Sequence, residues 1–103
     1  MSDHTTALLR ALGRCFPDHR LTAESIRSRD WASAAFAGVC HEIAFRIEGE
    51  GASAAADAFA EGLGDREVPM RRHILVEIAL VARTDDAGGG VSMGVEALTI
   101  ENA

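Results

Sequence analysis

The sequence predicts an α+β fold: a two-layer sandwich in which a four-stranded, mainly antiparallel sheet carries two helices on one face, in the order αββαββ. Three observations predict it. The run His73–Arg83 (HILVEIALVAR) places apolar and β-branched residues with strict period two, the mark of a strand. His41–Glu48 (HEIAFRIE) alternates in the same way. Two segments with helical apolar spacing, Thr5–Phe16 and Ala52–Leu63, stand one in each half of the chain, ahead of the strands. At 103 residues the chain reads as a single α+β domain over 1–103, large enough to bury a core without disulfides or metals.

In the first helix, Thr5–Phe16, Leu8, Leu12 and Cys15/Phe16 share a face, with Leu9 beside them. Ser2 or Asp3 can cap its start, and Pro17 stops it. The polar stretch Asp18–Arg29 fits either a loop or the beginning of a long strand. In Asp30–Ala37 (DWASAAFA) the alanines favour a helix. Alternation of Ala32, Ala34 and Phe36 against Trp31, Ser33 and Ala35 favours a strand, and the strand is preferred. Gly38 then belongs to a short turn into the next strand, making a hairpin.

Within His41–Glu48, Ile43, Phe45 and Ile47 face in, while Glu42, Arg46 and Glu48 face out. Gly49-Glu50-Gly51 turns the chain. Ala52–Leu63 sets Ala55, Ala56, Phe59 and Leu63 on one side, with Gly64 suited to its C-terminal cap. Asp65–Arg72, which contains Pro69, reads as a linker.

In His73–Arg83, Ile74, Val76, Ile78, Leu80 and Ala82 are assigned to the core face. Leu75, Glu77, Ala79, Val81 and Arg83 fall on the other. Three of those five are apolar, and such a surface tends to be covered, often by a second subunit. Thr84–Gly90 is a glycine-rich hairpin loop. In the last strand, Val91–Ile100, Leu98 and Ile100 are out of phase with Val91, Met93 and Val95; a β-bulge near Glu96–Ala97 would restore the phase. Moving this strand to the front gives β-α-β-β-α-β, so the order is compatible with a permuted ferredoxin-like sheet. That arrangement hosts many unrelated functions and transfers none.

The net charge is −6, and residues 41–103 carry twelve acids against five Arg. An acidic surface repels phosphate backbones, so no nucleic acid is expected as a partner. The absence of Lys excludes Schiff-base and P-loop lysines; the absence of Tyr excludes phenolic acid catalysis. No apolar run approaches the ~20 residues of a membrane span, and MSDHTTALLRALGRCF does not read as a signal peptide. The expectation is a cytoplasmic protein with no membrane partner, Cys15 and Cys40 being reduced thiols without CxxC spacing.

Candidate sites are few. Gly49-Glu50-Gly51-Ala52-Ser53-Ala54 matches G-x-G-x-x-A between a strand and a helix. Glu50 would sit beside the pyrophosphate, and the chain is too short for the rest of a dinucleotide fold, so a turn is the better reading. His41 and His73 each begin a strand, and with Cys40 they could hold a metal only if those strand ends met; no ligand-spacing motif supports it. The glutamates Glu42, Glu48, Glu77 and Glu96 read as cross-strand partners of Arg46 and Arg83. No cofactor, metal or catalytic constellation is expected.

These readings point to a self-associating protein-interaction module without catalysis. Its interface is Leu75, Glu77, Ala79 and Val81, and its partner in a homodimer is a second copy. The alternative is a small-ligand-binding protein or enzyme with a pocket between helix and sheet near Trp31, His41 and His73.

Overall fold

The computed structural model describes residues 3–63, 70 and 72–101. Helix α1 (Asp3–Arg14) leads into the hairpin β1 (Arg20–Ala32) and β2 (Ala37–Glu48). Helix α2 (Ala52–Gly62) leads into the hairpin β3 (His73–Asp85) and β4 (Val91–Glu101). The four strands form one antiparallel sheet in the order β1-β2-β4-β3. One strand of each hairpin is therefore central, as the permuted ferredoxin-like arrangement requires. Gly64 and most of the expected linker Asp65–Arg72 lie outside the described residues.

The helices lie on one face of the sheet. Leu8 and Leu12 of α1, Phe16 just beyond it, and Ala52, Ala56 and Phe59 of α2 form one core with Ile43, Phe45 and Ile47 of β2 and Val91, Met93, Val95 and Ala97 of β4. Phe45 and Phe59 meet edge to face at 6.2 Å, with Phe16 beside both. The alternation of β2 that the sequence predicts is the one that forms.

Both edge strands depart from expectation. Segment 30–37 is not one strand. β1 ends at Ala32, and the turn is Ser33-Ala34-Ala35-Phe36 rather than Gly38. Ser33 N donates to Phe36 O (2.8 Å), and Ser33 Oγ accepts from Phe36 N (3.2 Å); this serine turn fixes the hairpin. Residues 22–30 of β1 are exposed throughout, because strands of this length rise ~40 Å while a 12-residue helix covers only ~18 Å.

β3 carries two bulges, between Leu75 and Glu77 and between Leu80 and Ala82. Each shifts the phase by one residue. Leu75, Ile78 and Leu80 pack against the core, whereas Ile74 and Val76 are 44% and 51% exposed. The expected inward row Ile74, Val76, Ile78, Leu80 is thus broken at its start, and Leu75 moves from the expected interface into the core. β4 holds no bulge: Val91, Met93, Val95, Ala97 and Thr99 face the helices without interruption. Leu98 and Ile100 belong to the opposite face, so the bulge expected at Glu96–Ala97 does not occur.

The second bulge also turns Arg83 toward the helices. Its guanidinium donates to Asp57 Oδ1 of α2 (2.6 Å), Asp85 Oδ1 (2.8 Å) and Ser53 O (3.3 Å), tying β3 to α2. Arg83 holds the Asp85 carboxyl below the usual carboxylate range.

Candidate functional site

Among the described residues, no element covers the face of the sheet away from the helices. Register assigns its residues to rows that cross all four strands. The first row is Trp31, Gly38, Ile100 and Ile74. The next is Arg29, Cys40, Leu98 and Glu77. Then come Arg27, Glu42, Glu96 and Ala79, followed by the small residues Ser25, Ala44, Gly94 and Ala82. One end of the face is apolar, the middle is charged, small side chains follow, and Thr22, Arg46, Ser92 and Thr84 form a further row beyond them.

The charged middle is unevenly paired. Arg27 Nε lies 3.7 Å from Glu42 Oε2, with both side chains well exposed. Among the described residues, neither Arg29 nor Glu77 makes an ion pair within the chain. The sheet's coil leaves a concavity of about 640 Å³ over this region, bordered by Arg29, Trp31, Cys40, Glu42, Glu77 and Leu98 among others. Farther along, Arg46 pairs with Asp86 and with Glu48 (3.4 Å), clamping the β3–β4 loop.

Of the expected interface residues, Glu77 and Ala79 are on this uncovered face. Val81 reaches it from the bulge, its Cγ2 lying 3.7 Å from where a Cβ on Gly94 would stand. Leu75 is on the helix side. Nothing local in the sequence assigns Arg29 or Cys40 to this face, whereas the broken phase of Leu98 and Ile100 is a signal that marks those two.

Trp31 and His41 both border the outer concavity, whereas His73 borders a separate groove of about 440 Å³ beside α1, with Asp3, Arg10 and Arg14. His41 is only 1% exposed and points to the helix side, while Cys40 points to the other face.

On the helix side His41 joins a small cluster. Thr99 Oγ1 stands 2.9 Å from His41 Nε2 and 2.7 Å from His4 Nδ1, and the His4 and His73 rings meet at 4.2 Å. A single hydroxyl can donate to one ring nitrogen and accept from the other. His41 Nδ1 is buried with no hydrogen-bond partner among the described residues. Burial, with His4 and His73 nearby, pulls the His41 pKa down to about 4; burial and His73 pull His4 down too. The Thr99 hydroxyl, shared by His41 of β2 and His4 of α1, links the helix to the sheet. Among the described residues no group of three or more His, Cys, Asp or Glu is placed to hold a metal ion.

Gly49-Glu50-Gly51 is a strand-to-helix turn with left-handed backbone at Gly49 (φ 124°) and Gly51 (φ 77°). His19 Nε2 lies 2.9 Å from Glu50 O, so the turn is closed by this chain's own side chain. Among the described residues no helix is long and apolar enough to cross a membrane.

No family model matches this chain, and no curated protein matches it in sequence. A solved structure does: a chain of the "Virion of native gene transfer agent (GTA) particle" superposes with a TM-score of 0.59 at 13% identity, over 92% of this chain and 92% of that one. At that identity the likeness is one of fold alone, shared over nearly the full length of both chains.

Proposed function

We propose that this protein is a structural assembly subunit that works by self-association through the uncovered face of its sheet, with no chemistry of its own. The observation that carries the reading is the row structure of that face: Trp31, Ile100, Leu98 and Ile74 make one end apolar, beside Arg29 and Glu77, which make no ion pair among the described residues. Burying the apolar end would contribute about 25 cal/mol per Å² removed from water. A two-fold dimer is the commonest way to cover such a surface, since one patch serves both subunits. The fold shared with a virion chain supports a role in protein–protein assembly.

Light scattering on the purified chain tests this. The expected mass is twice 10.9 kDa at micromolar concentration. A mass of 10.9 kDa without concentration dependence would overturn the reading.

A second reading places a small ligand in the concavity of about 640 Å³ on the same face, a volume within the ~300–1,000 Å³ of ligand clefts. A bound ligand at ~100-fold excess over its Kd would stabilise the protein by roughly 2.7 kcal/mol, which thermal-shift screening would register.

A further inference from the structure

We infer that two copies pack back to back about a two-fold axis running along the strands, so that Arg29 of each chain pairs with Glu77 of the partner subunit. This rests on the self-association reading above and specifies its geometry.

Arg29 and Glu77 lie in one register row, Arg29 on the edge strand β1 and Glu77 on the opposite edge strand β3. Three strand spacings separate them, roughly 14 Å, which is too far for an ion pair within the chain. A two-fold axis along the strands keeps each row at its own level and exchanges left for right. β1 then faces β3 of the second copy, and β2 faces its β4. Arg29 meets the partner's Glu77 twice, once on each side of the axis. In the same arrangement Trp31 meets the partner's Ile74, and Cys40 meets the partner's Leu98, so the apolar end is covered at the same time.

The alternative two-fold, with its axis in the interface and across the strands, places β1 on β1. Arg27 then faces its own copy or Arg29, and the charges repel. Like charges brought together cost several kcal/mol at an interface, and the axis along the strands is favoured because it sets Arg29 against the partner's Glu77 on both sides. Glu42 and Glu96 of the central row face each other across it, with Arg27 beside Glu42 as their counter-charge.

A charge-swap series tests the geometry. Both positions are exposed, so the variants should fold, and equal melting temperatures at dilution would check this. Arg29→Glu alone places two acids together in each pair; Glu77→Arg alone places two arginines together. Each should weaken the homodimer by about tenfold or more in sedimentation equilibrium. The double variant Arg29→Glu/Glu77→Arg restores both pairs, and so does an equimolar mixture of the two single variants, as a heterodimer. Recovery in both would support the inference. A native dimer indifferent to the single changes, or one that neither combination recovers, would overturn this geometry and leave self-association standing. A native chain that stays monomeric would overturn both.

Discussion

His41 Nε2 and Thr99 Oγ1 lie 2.9 Å apart beneath α1, and both residues are almost wholly buried. The pair joins β2 to β4 on the helix side, and His4 on α1 reaches the same hydroxyl. Burial and the neighbouring His4 and His73 disfavour the charged form of His41, which makes the stability of this contact a function of proton concentration.

The first prediction follows from that proton. The His41 pKa is about 4 in the folded chain against 6.5 for a free imidazole, so the unfolded chain binds the proton more tightly. Stability from this group is complete above pH 6.5 and is lost as pH falls toward 4, by up to about 3 kcal/mol. Urea unfolding at pH 7 and pH 4.5 checks it. The His41→Leu variant should flatten the dependence in that window; an unchanged slope would mean that His41 is not the group responsible. Asp85 and Asp86, held ionised by Arg83 and Arg46, act at lower pH, while His4, also lowered, leaves a smaller residual slope in the variant.

The bulges of β3 make a second prediction. Ile78 packs against the core while Val76 is 51% exposed, though the sequence puts them in one phase. Ile78→Ala should cost about 1–3 kcal/mol in chemical unfolding, and Val76→Ala within about 0.5. Equal costs would mean that β3 runs without its first bulge.

A third concerns the start of β2. A Cβ on Gly38 would stand 2.2 Å from the carbonyl oxygen of Thr99, a backbone atom with little room to move. Gly38→Ala should therefore lower stability by about 1–3 kcal/mol, read as a fall in the urea midpoint. A neutral result would mean that β2 and β4 are spaced more widely there.

The sequence made some elements plain and hid others for identifiable reasons. β2 and α2 were legible because each has one buried and one exposed face. β1 was not: residues 22–30 are exposed on both faces, so no alternation marks them. β3 misled because both its faces carry apolar residues, and a bulge changes the phase without changing the composition. The rows of the outer face require strand order, which no local pattern holds. The histidine cluster joins residues 58 and 95 positions apart, beyond any local spacing rule. One hint was present, since His41 shares the inward phase of Ile43, Phe45 and Ile47.

The assembly face gives a fourth prediction. Val81 is 55% exposed and lies beside Gly94, where a long charged side chain can be solvated in the single chain but not in a covered face. Val81→Arg should shift the mass measured by light scattering toward one chain without lowering the melting temperature of the dilute protein. An unchanged mass would place the interface elsewhere.

Where copies meet through the uncovered face of the sheet, the two thiols respond differently to association. Cys40 lies in the Arg29–Leu98–Glu77 row, while Cys15 sits beyond α1 with its thiol 3.4 Å from Ala11 O. Iodoacetamide labelling, followed by mass spectrometry across the concentration range in which the mass doubles, should show Cys40 becoming protected while Cys15 keeps its rate. Labelling of Cys40 that stays constant as the dimer forms would contradict the claim.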